Sequence, residues 1–256
     1  LSVAGEGNLS VAVTNRGDFE LAGTRAISTT GAGTILIDAE GALTMGALSQ
    51  IHNDNGSITL EAGDTVSVAR VSSVLGDISV TTAEGAIIDV DSDETAVVDF
   101  ETAGQLTLNA STGIGIQGGD RQTLSVLLGT LAASTTTGVI YVGSTDSFAT
   151  NGLISSTSGT ISLLSDGVIT VGPNLAGVAV DSAEDLVIRA GAELIQLADS
   201  TIEAAADISL YASTAMTLFS VTTTGNVALE TAGAVLGYVD PAVAAITAQG
   251  LLLDGV

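Results

Sequence analysis

Three aspartates at alternating positions, Asp89, Asp91 and Asp93, are where this chain comes nearest to a metal-binding pattern. Carboxylate oxygens so spaced can gather around a hard cation, and calcium is the cation that such flexible oxygen sets suit. The pattern follows the opening of an EF-hand loop and then departs from it. Glu94 stands where that loop needs glycine, and Phe100 where it needs the bidentate glutamate. A solvated acidic loop is the competing reading. Calcium is the candidate cofactor, and the sequence calls for no other.

The remaining reactive residues are sparse. His52, in Ile51-His52-Asn53-Asp54-Asn55, is the only histidine, and the chain has no cysteine. A zinc site therefore lacks its usual donors, and His52 reads as a polar turn residue. Serines are numerous, but no Gly-x-Ser-x-Gly elbow occurs, and one histidine can serve only one triad. Gly113-Ile114-Gly115-Ile116-Gln117-Gly118 fits the dinucleotide string Gly-x-Gly-x-x-Gly. Its alternating isoleucines read as a strand, with no helix following to receive a pyrophosphate. No catalytic residue is assigned. Glycan cleavage needs paired carboxylates or a basic cluster, and a carboxylate pair between stacked segments, around residues 89–99, is the route left open. Ice binding is disfavoured because outward threonines do not recur in register.

Composition narrows the partners. Twenty-nine acidic residues face five basic ones, all arginine (Arg16, Arg25, Arg70, Arg121, Arg189), for a formal charge of −24. That balance opposes nucleic acid, which is bound by cationic side chains that displace counterions. It equally opposes anionic membrane surfaces. No apolar run is long enough for a membrane span, so no membrane insertion is expected. Hydrophobic residues make up 46% and aromatics 3%, which points to a narrow core of Val, Ile, Leu and Ala.

The elements that would hold any site come from a repeat. The phrase Gly-x-apolar-x-apolar recurs about every twenty to thirty residues, a period that marks a solenoid. Clear copies begin at Gly56, Gly76, Gly104, Gly159 and Gly225, looser ones at Gly7, Gly17, Gly33 and Gly138, and Asp207 replaces the glycine in another. Apolar residues two apart, as in Ile58 and Leu60, are strand periodicity. Two further strands follow in each coil, for example Thr65-Val66-Ser67-Val68 and then 71–75. The expected fold is all-β: a parallel β-helix of about eleven coils with three short strands each, a rod roughly 50 Å long at ~4.8 Å per coil. Glycine at the corners, as at Gly63, Gly85, Gly167 and Gly191, is read as supplying left-handed or tight backbone. Two long intervals interrupt the period. One holds the acidic stretch from Asp89, and the other holds Leu124-Ser125-Val126-Leu127-Leu128, read as an irregular coil or a short helix. Residues 1–256 are expected to form one continuous repeat segment, a fragment of a longer array.

Gly76-Asp77-Ile78-Ser79-Val80 and Gly159-Thr160-Ile161-Ser162-Leu163, each running on into a second apolar strand, carry a family likeness. With that phrase repeating, the chain resembles the repeat region of filamentous-haemagglutinin-like large bacterial exoproteins. The resemblance implies that this solenoid is a right-handed parallel β-helix, with export to the cell surface or exterior and a structural part in adhesion, biofilm matrix or a surface filament. It carries over no functional residue, and the family's Asn-Pro-Asn-marked secretion domain is not in this sequence. Implied partners are other copies or flanking coils of the same filament and host-cell or matrix polysaccharide. A carboxylate-rich exterior would keep such a filament soluble or let divalent cations bridge it, with outward Leu36 and Val187 as lateral contacts. The alternatives are a polysaccharide-binding or polysaccharide-degrading β-helix module and, third, a phage tail fibre.

Overall fold

The structure, a computed structural model, describes residues 2–3, 7–13, 17–90, 98–115, 123–172, 177–237 and 246–255. Among them every regular element is a β-strand. Parallel strands stack as a β-solenoid of about nine turns, slightly fewer than the eleven expected. One source of the difference is visible at the start of the chain. The copies at Gly7 and Gly17 lead into Leu9–Val13 and Phe19–Leu21, which pair with different strands of the next coil and so belong to two faces of one turn.

The chain divides into two compact units, Leu1–Thr130 and Leu131–Val256. In the first, one face stacks Leu9–Val13, Ile35–Ala39, Ile58–Ala62, Ile78–Thr82 and the end of Phe100–Ala110. A second stacks Phe19–Leu21, Leu43–Met45, Val66–Val68, Ala86–Asp89 and Gly113–Ile114. A third stacks Ser2–Val3, Ala26–Thr29, Gln50–Asn53, Arg70–Ser73 and the start of Phe100–Ala110. Because successive side chains in a strand alternate sides, Ile35, Ile58, Ile78 and Leu106 form one buried file, and Ile37, Leu60, Val80 and Leu108 the next. Among the described residues Phe100 is the bulkiest fully buried side chain. Residues 124–128, left open between an irregular coil and a helix, belong to the strand Leu124–Thr135.

In the second unit the phrase strands Ile161–Ser165, Leu186–Ala190, Ile208–Ala212 and Asn226–Thr231 stack between Ile140–Ser144 and Gly250–Gly255. A second face runs from the start of Phe148–Ser156 through Ile169–Val171, Glu193–Gln196 and Ala215–Leu218 to Val235–Gly237. A third runs from the end of Phe148–Ser156 through Val178–Ser182, Thr201–Ala204 and Val221–Thr223 to Ile246–Thr247.

The corner glycines Gly63, Gly85, Gly167 and Gly191 have no positive φ and are crowded by the neighbouring coil instead, and the glycines of the clear phrase copies follow the same rule. Positive φ occurs at other glycines, among them Gly23 and Gly31, and at none of the five clear copies. What forbids a side chain there is the neighbouring coil. A Cβ on Gly225 would lie 2.6 Å from the Ala206 carbonyl oxygen, and one on Gly56 would overlap the Gly33 carbonyl outright. Close backbone approach at a corner is therefore the constraint.

Candidate functional site

At the corner before the phrase, the first unit threads a file of buried polar side chains: Thr29, Asn53, Ser73 and Thr102, stacked in register. Three of them make the same pair of contacts. Asn53 Nδ2 donates to the Gly33 carbonyl at 2.7 Å, and its Oδ1 accepts from Gly56 N–H at 2.9 Å. Ser73 Oγ donates to the Gly56 carbonyl at 2.9 Å and accepts from Gly76 N–H at 3.0 Å. Thr102 Oγ1 donates to the Gly76 carbonyl at 2.6 Å and accepts from Gly104 N–H at 2.9 Å. Each side chain thus ties the corner of its own coil to the corner of the preceding one, satisfying backbone groups that burial would otherwise strand.

The second unit repeats the device. Ser156 Oγ donates to the Gly138 carbonyl at 2.6 Å, Ser182 Oγ to the Gly159 carbonyl at 3.0 Å, and Thr223 to the Ala206 carbonyl. Gln196, 1% exposed, does the same at another corner. Its Nε2 donates to the Ser200 and Ser220 carbonyls, and its Oε1 accepts from Phe219 N–H and Ser220 N–H. Outside the core, the residue after the phrase glycine makes a second link, and the register places Asp207 at that position, with Ala206 and not Asp207 standing where the glycine would be. Asp77 Oδ1 accepts from Gln105 N–H at 2.8 Å, and Asp207 Oδ1 from Asn226 N–H at 2.7 Å.

His52 corrects the sequence reading. It lies within the strand Gln50–Asn53, not in a turn, and faces outward beside the buried Ile51. In the adjacent coil Ser72 is its register partner. His52 Nδ1 lies 2.8 Å from Ser72 Oγ, and His52 Nε2 lies 2.9 Å from Asp54 Oδ1. The next rung outward brings Glu101 over Ser72, and Arg70 Nη2 donates to Glu101 Oε2 at 3.0 Å. Five polar residues from three coils therefore share one outward strip. A neutral imidazole donating from Nε2 to Asp54 keeps its Nδ1 lone pair for the Ser72 hydroxyl.

The predicted calcium residues fare differently. Asp89 closes the strand Ala86–Asp89, largely buried and in register with Val68. Asp91 and Asp93 lie outside the described residues. Among the described residues, no group of three or more His, Asp or Glu side chains is arranged to hold a metal ion. Among the described residues three in-register carboxylate pairs do form between coils, away from residues 89–99: Asp38 with Glu61, Asp181 with Glu203, and Glu230 with Asp254. Of the outward apolar residues, Leu36 is exposed and Val187 half-buried.

The signal for the corner file was in the sequence. A polar residue with side-chain hydrogen-bonding capacity stands two or three positions before the glycine in Asn53…Gly56, Ser73…Gly76, Thr102…Gly104 and Thr223…Gly225. No family model, curated protein or solved structure matches the chain. Among the described residues no helix is long and apolar enough to cross a membrane.

Proposed function

We propose that the chain is a structural segment of a bacterial cell-surface or extracellular filament, acting in adhesion or matrix formation. The observation that carries this reading is the corner file in which Asn53, Ser73 and Thr102 each join two successive coils through backbone carbonyls and N–H groups. Such a device spends the buried polar side chains on coil-to-coil cohesion. The chain's formal charge of −24 keeps such segments apart in solution. Its partners are then further coils or copies of the same filament, with matrix polysaccharide as the adhesive target. Immunogold labelling of intact cells that produce the protein tests the proposal. Gold on filaments outside unpermeabilised cells is expected, and labelling confined to permeabilised cells would overturn it.

A polysaccharide-binding or polysaccharide-degrading module is the second reading, and the stacked pairs Asp38–Glu61 and Asp181–Glu203 favour it. One strand spacing, ~4.8 Å, is near the ~5–5.5 Å carboxyl separation of retaining glycosidases. Reducing ends released from a panel of neutral and acidic glycans, and lost in Glu61→Gln or Glu203→Gln, would establish it. No release across the panel would remove it.

A further inference from the structure

We propose that Ser72, His52 and Asp54 form a nucleophilic site that accepts the acyl group of small carboxylic esters. This stands apart from the filament role and does not depend on it.

Three requirements of an activated hydroxyl meet here. The base is in reach, since His52 Nδ1 is 2.8 Å from Ser72 Oγ, within the hydrogen-bonding range for nucleophile and base. The base is oriented, because Asp54 Oδ1, 2.9 Å from Nε2, holds the ring in the tautomer whose free lone pair faces the serine. A positive charge lies on the same outward edge in Arg70, two positions before Ser72, where it is paired with Glu101. The nitrogens are used in the opposite order from the common triad, because Asp54 follows His52 at the next outward position. The roles of nucleophile, base and orienting carboxylate are unchanged, and triads are recognised by role and geometry.

An ordinary outward hydroxyl in the same unit lacks this setting. Ser79 stacks between Thr59 and Thr107 with no base beside it. Ser72 is also more enclosed than a surface serine, at 8% exposed. It lies between His52, 35% exposed in its side chain, and Glu101, 41% exposed. That enclosure selects unhindered acyl groups such as acetyl over bulky ones.

In the step, Ser72 Oγ bonds to the ester carbonyl carbon while its proton passes to His52 Nδ1. The carbonyl oxygen takes up the negative charge, on the outward edge that also carries Arg70 and its partner Glu101. The bond from carbon to the leaving oxygen then breaks, and His52 gives that oxygen the proton. Water repeats the sequence on the acyl-serine, releasing the acid and restoring Ser72.

The test is incubation of the whole chain with p-nitrophenyl acetate, following p-nitrophenolate release and mapping acetylation by peptide mass spectrometry. One acetyl group on the peptide carrying Ser72 is expected, with release falling about 100-fold in Ser72→Ala. His52→Gln, which keeps a hydrogen bond to Ser72 without the base, is expected to fall equally far. Asp54→Asn is expected to fall by about 10-fold or more. Ser79→Ala is expected to change nothing. All four side chains face outward, so far-UV circular dichroism should match the unsubstituted chain, and thermal melts will confirm it. Acetyl groups spread evenly over Ser72, Ser79 and other hydroxyls, or a rate unchanged in His52→Gln, would overturn the assignment.

Discussion

Asn53 is bound to Gly33, twenty residues earlier in the chain, by a 2.7 Å hydrogen bond from its Nδ2 to the glycine carbonyl. The same side chain accepts from Gly56 N–H in its own coil. One fully buried amide thereby serves two coils, and its removal strands a carbonyl and an N–H together.

Asn53→Ala is expected to destabilise the chain by about 2–4 kcal/mol, since each stranded buried group costs about 1–3 kcal/mol. Asn53→Ser, which imitates Ser73 one coil on, should recover about half of that loss. Urea denaturation followed by circular dichroism measures both, and an Asn53→Ala midpoint equal to that of the unsubstituted chain would contradict the corner-file account.

Thr29 occupies the same file with a different outcome. Among the described residues its Oγ1 is a buried atom with no hydrogen-bond partner. Thr29→Val, which keeps the shape and removes the hydroxyl, should therefore be neutral or stabilising by about 1 kcal/mol. Thr102→Val, at a position where the hydroxyl bridges Gly76 and Gly104, should destabilise. A melting temperature lowered by Thr102→Val and not by Thr29→Val is the expected result.

Glycine substitutions separate crowding from backbone freedom. Gly56→Ala places a methyl group against the Gly33 carbonyl and should cost about 2–3 kcal/mol. Gly237→Ala meets nothing within 4 Å and has no positive φ, so it should shift stability by no more than about 0.5 kcal/mol. Chemical denaturation of the pair decides the point.

Phe100 is fully buried at the start of a strand that pairs with Arg70–Ser73. Phe100→Ala should cost about 3–5 kcal/mol through lost burial and the cavity it leaves. Phe100→Leu should cost clearly less. Near-equal losses in the two variants, read by denaturant midpoints, would mean that the site collapses around either residue.

Stacked like charges give a salt signature. Asp181 and Glu203 are in register on adjacent strands, as are Asp38 and Glu61. Adjacent carboxylates on one sheet face repel, and salt screens exposed charges over about 10 Å at 0.1 M. Glu203→Gln should raise the melting temperature at low salt, with the gain shrinking as sodium chloride is added. A gain that persists undiminished in concentrated salt would assign the effect to packing instead.

The solenoid itself was legible because its signal is local and repeated. Ile58 and Leu60, Ile78 and Val80, and Leu106 and Leu108 alternate with small polar residues, and the same alternation places them in the buried files. His52 was misread for the converse reason. Asn53, Asp54 and Asn55 around it have turn composition, yet Asn53 is polar because a corner must be bridged and Asp54 because it faces water beside the histidine. The relation of His52 to Ser72 was also available in principle. Gly56 and Gly76 fix the offset between these coils, and the same offset carries His52 onto Ser72. What periodicity could not supply was the reason for the glycines, since a clash with a carbonyl of another coil is a contact in space and leaves no mark on the residue's own neighbours.

The corner file reaches for main-chain oxygens and not for particular side chains. A carbonyl is the same whatever residue bears it, so a coil can be joined to any neighbour that presents its corner in register. In the second unit the file passes through Ala204, flanked by Ser182 and Thr223, and the strands still pair on both sides. Heredity can work on such a chain by whole turns. An in-frame duplication or deletion of one coil leaves every remaining junction with an acceptor already in place, and the gene can lengthen or shorten without a compensating change elsewhere.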